Sequence, residues 1–278
     1  YFLIQQAQKQ GATLQTETLV TGVDIKSDRI TLQTAKGPVE ARYLIAADGG
    51  RGPLAQLLGF KRRKRTLAGA WEAEIPVLDQ SDRRIHFEFG LVKSGYLWNF
   101  PKADGYSLGI GAFGDRGRQN LRKILAQYAR SFGVDLADAT VQCGHPISLW
   151  DGNQDLHCDR ALLAGEAACV VDPFTAEGIR PSMFSGMKAA EAIDRALGGD
   201  ADALANYSKI IAEEWGAQMV WAQRLAQFFY RFPGWTYQHG VKRPSASQTF
   251  GKLFSGELRY SDVVGKALDR MRAQLAGG

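Results

Sequence analysis

Residues able to do chemistry collect in one stretch, Ala161-Leu-Leu-Ala-Gly-Glu-Ala-Ala-Cys-Val-Val-Asp-Pro-Phe-Thr-Ala-Glu-Gly-Ile-Arg-Pro-Ser-Met183. A continuous apolar run delivers Glu166 at its carboxyl end, where α/β sheets place ligands. A carboxylate there can accept hydrogen bonds from sugar-like hydroxyls. Pro173 stiffens the loop and Gly178 lets the backbone approach a flat ligand closely. The helix expected after Gly178 aims its amides and positive dipole end at that ligand. A second strand-like run, Tyr43-Leu-Ile-Ala-Ala, ends in Asp48-Gly49. A third feature is aromatic: Tyr96, Trp98 and Phe100 alternate, which puts three rings on one face of a strand. Such a face serves a sheet core or a pocket for a long apolar chain.

Two other patterns invite chemistry and are set aside. Gly109-Ile-Gly-Ala-Phe-Gly114 spells the dinucleotide fingerprint, but 115–118 read Asp-Arg-Gly-Arg and the preceding strand alternates. A phosphate-binding glycine loop needs a helix opening at the loop and a buried strand before it. The spelling therefore reads as a glycine-rich strand end. Cys143-Gly-His145 and His157-Cys158 lack the two-to-four-residue spacer of structural zinc sites, so no metal is expected.

The elements that position these residues follow from pattern. Residues 1–10 read as the end of a helix, and strands are expected at 13–20, 22–26, 29–35 and 39–47. Pro53 opens a short helix to Leu58. Alternating segments at 66–76, 83–90, 95–100 and 106–113 predict an antiparallel sheet, followed by an amphipathic helix at 118–132 and a strand at 139–149. A buried strand at 160–165, a helix at about 178–197 and a helical, aromatic-rich remainder complete the chain.

The predicted fold class is α/β, α+β overall, with a partial Rossmann-like domain at 1–60 and 155–200. An antiparallel-sheet domain at 61–154 interrupts it, and a helical region fills 201–278. The sequence starts at Tyr1 in mid-helix pattern, as a fragment or processed chain would.

Composition limits the alternatives. The 278 residues are 45% hydrophobic and 23% charged, with a net charge of +5. No apolar run reaches the roughly 18 residues of a membrane span, and no signal-peptide pattern opens the sequence. Three cysteines argue for a reducing compartment, hence a cytoplasmic location. The basic run at 61–65 suits a solvated loop, anionic headgroups or an acidic cofactor. Without aromatic interleaving or a reader motif, nucleic acid is not an expected partner.

The stretch Gly165-Glu166-Ala167-Ala168, then Asp172-Pro173 and Gly178-Ile179, resembles the second flavin motif of FAD-dependent oxidoreductases of the para-hydroxybenzoate hydroxylase type. That family has aspartate where Glu166 stands. Ala-Asp48-Gly49 resembles its other flavin motif, with Gly52 and Ala55 in place of the usual serine and arginine. Tyr96-Leu-Trp98-Asn-Phe100-Pro101 with Gly109-Ile-Gly111 is similar to the signature of the geranylgeranyl reductase family, Lys93 replacing a common proline. The tail Leu253-Phe-Ser-Gly-Glu-Leu-Arg-Tyr260-Ser-Asp is similar to that family's end.

The resemblance implies FAD as cofactor, held by Val20, Asp48, Gly49, Gly165, Glu166, Asp172, Pro173, Gly178 and Ile179. It implies a prenyl substrate against Tyr96, Trp98 and Phe100, and reduction of carbon–carbon double bonds in isoprenoid lipids. Saturating an isolated alkene takes a hydride and a proton. Ring faces can stabilise developing positive charge by about 0.5–2 kcal/mol each. No residue is assigned as the acid. NAD(P)H or a ferredoxin-like protein is the implied electron donor. Peripheral membrane contact through 61–65 or the aromatic run 228–235 is a further expectation, although buried helix packing accounts for those rings equally well. The family's N-terminal βαβ unit is missing, so this chain would be its middle and C-terminal portion. The alternatives are a monooxygenase or halogenase on the same fold, or a truncated chain without activity.

Overall fold

The computed structural model describes residues 1–60, 66–78, 83–114 and 119–266. The basic run at 61–65, the 115–118 segment and the last twelve positions of the chain lie outside the described residues. Mixed helices and sheets build the chain in the expected order. Helix α1 (Phe2–Lys9) leads to strands β1 (Val20–Ile25), β2 (Ile30–Thr34) and β3 (Val39–Ala41), an antiparallel sheet. Strand β4 (Leu44–Ala46) and the short helix α2 (Leu54–Leu57) follow.

The predicted strand at 13–20 does not form before Val20. Leu14 and Leu19 are 49% and 68% exposed, and Glu17 takes a left-handed φ of 52°. A run of residues that suit a strand does not form one where nothing among the described residues pairs with it. The predicted 39–47 strand divides for a related reason: β3 pairs with β2, whereas β4 joins a different sheet. Arg160 fixes the crossing by donating to the carbonyls of Lys26, Ser27 and Arg42, with its guanidinium 5.3 Å over the Tyr43 ring.

Next come β5 (Leu67–Pro76), β6 (His86–Phe89), β7 (Gly95–Pro101), β8 (Gly105–Phe113), α3 (Leu121–Arg130) and β9 (Val141–Ser148). The five strands form one antiparallel sheet in the order β6-β7-β8-β5-β9. Asn120 caps α3 by accepting the Lys123 N–H at 3.0 Å, and Leu125, Tyr128 and Ala129 turn inward from its apolar stripe. Strands β10 (His157–Cys158) and β11 (Ala161–Leu163) return the chain to β4, with which β11 pairs in parallel. Helix α4 (Ile179–Leu197) crosses this small sheet. Then α5 (Ala203–Ile210) runs through a π-helical stretch, Ile211–Gly216, into α6 (Ala217–Arg231). Two shorter helices, α7 (Pro233–Thr236) and α8 (Ala246–Ser255), complete the helical C-terminal region.

Two main cores result. One gathers β4, β11, α4 and the α5–α6 helices around Leu162, Tyr207 and Met219. The other lies between the five-stranded sheet and α3 around Leu97, Leu108, Ile110 and Leu125.

Candidate functional site

Parallel pairing of β4 with β11 sets Ala46 opposite Leu163, so both strands end at the same edge. The chain beyond β4 turns through Asp48 and Gly49, and Gly49 needs glycine because its φ is +82°. Asp48 Oδ2 accepts the Leu54 N–H at 2.8 Å, closing the turn and capping α2. Its carboxylate folds over Gly52, where a Cβ would stand 1.9 Å from Asp48 Cγ. The serine-to-glycine departure at 52 thereby has a steric cause.

Beyond β11, Gly165 adopts φ +62° and donates its N–H to the buried Ser185 hydroxyl of α4 at 2.9 Å. Glu166 reaches across to β9: its Oε1 accepts the Ser148 N–H at 2.7 Å and its Oε2 lies 3.1 Å from His145 Nε2. The extra methylene, relative to the aspartate of the resembled motif, spans this gap. Gly50 completes the corner. A Cβ there would meet Ser148 Oγ at 2.4 Å and Glu166 Oε1 at 2.5 Å. Among the described residues the buried Ser148 hydroxyl has no hydrogen-bond partner, a state that costs about 1–3 kcal/mol until a partner arrives. The corners at 48–50 and 165–166 thus meet, and Ala47 and Asp48 beside them are open to solvent.

The 172–178 loop forms the third side. Asp172 is 2% exposed, and its carboxylate is engaged within the protein. Oδ1 accepts the Phe174 and Thr175 amides at 2.7 and 3.1 Å, and Oδ2 accepts the Tyr260 hydroxyl at 2.6 Å. Burial pushes this carboxyl up from its ordinary range, and the Tyr260, Phe174 and Thr175 hydrogen bonds oppose that rise. Pro173 is buried inside the loop. Gly178 caps α4 without a side-chain partner, and the neighbouring Ile179 is 77% exposed. One turn further along α4, Ser182 stands beside Gly165. Val20 opens β1 opposite Thr34 and packs against the core that contains Ala46 and Leu54, with α2 beside β1.

The aromatic row of β7 adjoins this loop. The Tyr96 hydroxyl donates to the Thr175 carbonyl, and burial pushes its phenol well up. Ring centroids of Tyr96 and Trp98 are 6.0 Å apart, and those of Trp98 and Phe100 are 6.1 Å apart. Trp98 pairs across the strands with Gly109, where a Cβ would overlap the indole at 1.9 Å. The first GIGAFG glycine therefore makes room for an aromatic ring inside β8.

Sequence reasoning missed most of what faces these rings. Phe87 and Phe89 extend the row on β6, and Phe174, Phe229, Phe250 and Phe254 close on it from the loop and helices. It also missed Glu72, which pairs with Gly109 on the same face and accepts the Ser107 hydroxyl at 2.5 Å. The alternation of β5 and β8 carried that signal. Cys143 and His145 lie on β9 and His157 and Cys158 on β10; His157 Nδ1 is 2.8 Å from Ser208 Oγ.

The arrangement offers a polar corner with a carboxylate and an unpartnered hydroxyl beside a ring-lined apolar surface. A family model described as "FAD binding domain" matches residues 1–219. Digeranylgeranylglycerophospholipid reductase 1 of Methanosphaera stadtmanae is 29% identical over 221 residues, covering 73% of this chain and 51% of that protein. The structure of a geranylgeranyl bacteriochlorophyll reductase-like protein from Thermoplasma acidophilum superposes with a TM-score of 0.71 at 21% identity, covering 82% of this chain and 62% of that one. The flavin-dependent halogenase CmlS superposes at 0.60 with 25% identity, covering 82% of this chain and 47% of that one. The chain spans about half the length of the curated relatives it matches.

Proposed function

Because this chain belongs to the FAD-binding domain family of flavin-dependent oxidoreductases, we propose that it reduces carbon–carbon double bonds in the prenyl chains of isoprenoid lipids. Bound FAD supplies reversible two-electron chemistry, and NAD(P)H or a ferredoxin-like protein serves as electron donor.

The observation that carries the reading is the continuity between the corner and the ring surface. The Tyr96 hydroxyl donates to the Thr175 carbonyl, tying the ring row to the loop that leads from the Glu166 corner into α4. Ser148 and Glu166 suit a sugar-alcohol chain, because a hydroxyl of such a chain gives the orphaned Ser148 Oγ its missing partner. Gly49, Gly165, Gly178 and Ile179 offer backbone to a flat ring. Asp48 and Asp172 act as positioning residues, since their carboxylates hold the two turns in shape. Tyr96, Trp98 and Phe100 would receive the prenyl chain, desolvating it and presenting ring faces to charge developing on an alkene carbon. The names of the similar proteins support the prenyl class of substrate.

The test has two steps. FAD titrated into the chain should be retained and give flavin absorbance, and Glu166→Ala should weaken that retention. Anaerobic reduction in the presence of a geranylgeranyl-chain lipid should then add two hydrogens per double bond by mass spectrometry. Retained FAD with no hydrogen added would overturn the reductase reading. The halogenase similarity supports the second reading, an oxygen-activating flavoenzyme. Oxygen or halide incorporated into a substrate under air would decide for it.

A further inference from the structure

We infer that the end of α6 and the segment after it form a docking surface for an anionic lipid bilayer, placed to feed the ring-lined cleft. At this point the chain presents aromatic rings in two directions. Phe229 and Tyr230 turn inward, with ring centroids 5.4 Å from Phe89 and 5.2 Å from Phe113 respectively. Their neighbours turn outward. Phe228, Phe232, Trp235 and Tyr237 are 44–51% exposed. The outward rings form a cluster of their own: Phe228 lies 5.4 Å from both Phe232 and Trp235, and Trp235 lies 4.7 Å from His239. Large amphipathic rings grouped on a surface suit the boundary between headgroups and acyl chains.

Charge identifies the occupant. From Trp215 to Gly256 the sequence contains no Asp or Glu, yet carries Arg224, Arg231, Lys242, Arg243 and Lys252. Arg231, Lys242 and Arg243 are exposed around the ring cluster. A surface of rings edged by cations and free of nearby acids in sequence fits an anionic membrane and is poorly matched to an acid-and-base protein partner. No helix among the described residues is long and apolar enough to cross a membrane, so the surface would lie on the bilayer. The evidence for docking is independent of the prenyl-reductase reading. Only its purpose rests on that reading: a prenyl chain leaving the bilayer at Phe228 would meet the cleft at the adjacent Phe229.

Sedimentation of the whole chain with vesicles tests this. Vesicles of equal parts phosphatidylcholine and phosphatidylglycerol should carry the protein down, and phosphatidylcholine alone should carry markedly less. Phe232→Ser with Trp235→Ser should weaken the partition roughly tenfold or more. Arg231→Gln, Lys242→Gln and Arg243→Gln should each weaken it about fivefold, with raised salt acting in the same direction. All these side chains are exposed, so thermal midpoints should stay at the wild-type value. Quenching of Trp235 fluorescence by brominated lipid, absent in Trp235→Phe, reads insertion directly. Equal binding to both vesicle types, or variants that sediment like wild type, would overturn the proposal. So would a chain that dimerises through the patch and ignores vesicles. These vesicles contain no prenyl lipid, so a missing reduction product with detergent-dispersed substrate counts against the reductase reading alone.

Discussion

On the side of the five-stranded sheet that meets α3, Leu97, Leu108, Ile110 and Leu125 have no exposed surface. On the opposite side, Trp98 and Phe100 are half-buried, and a cross-strand row runs from Phe87 through Trp98 and Gly109 to Glu72 and Cys143. Both sides belong to the same strands and arise from the same two-residue alternation. They differ in what fills them. The α3 side packs aliphatic side chains together with Tyr106 and Tyr128 into a closed core, which specifies one arrangement. The ring side uses flat groups over glycines, with Glu72 and Ser107 among them, and is closed by helices and a loop rather than by the sheet itself. The contrast separates stability from binding within a single sheet.

Substitutions on the two sides should separate in the same way. Leu108→Ala empties a fully buried position and should cost about 2–5 kcal/mol of stability. Denaturant unfolding should show this loss, while FAD and lipid binding by the folded fraction stay unchanged. Gly109→Ala does the reverse on the ring side, adding one methyl into the Trp98 indole. Overpacking should cost about 1–3 kcal/mol. Combining it with Trp98→Leu should recover part of that loss. If the double variant were as unstable as the sum of the two, Trp98 would not be the group that Gly109 accommodates.

Trp98→Leu alone should fall below both in stability cost, because the indole is half-buried. Its effect should appear in turnover. Loss of a ring contribution of about 0.5–2 kcal/mol slows the reaction roughly two- to thirtyfold while lipid binding persists. Single-turnover reduction followed by mass spectrometry measures this. An unchanged rate would confine Trp98 to lining the cleft.

Local pattern carried much of this. The 96-98-100 alternation predicts the ring face, and the apolar run before Gly165 predicts a buried strand; both stand in the structure. Contacts between residues distant in sequence were not legible. Glu166 finds Ser148 and His145 through the meeting of two sheets, and Asp172 finds Tyr260 across 88 residues. Nothing in the spelling of the C-terminal helices showed that Phe229 and Phe250 face β6 while Phe228 faces outward. The 13–20 segment failed in the opposite direction. Its residues suit a strand, but a strand is a property of a pair.

The smallest expected effect concerns the loop between the polar corner and the rings, and its sign depends on pH. Asp172 is held by two amides and the Tyr260 hydroxyl, yet burial dominates and raises its carboxyl above the ordinary value of 3.8. An acid whose folded pKa exceeds its unfolded one favours folding in its protonated form. That contribution is complete below the unfolded value and is lost as pH rises through the raised folded value. Asparagine at 172 keeps a carbonyl oxygen for the Phe174 and Thr175 amides and offers its amide to Tyr260, without a charge to bury. Asp172→Asn should therefore match wild type below about pH 4 and gain on it as pH rises towards neutrality. Thermal midpoints across that range measure the gap. A variant less stable than wild type at neutral pH would mean that the three hydrogen bonds to the carboxylate outweigh its burial, and that the loop beside Tyr96 is built around a charge.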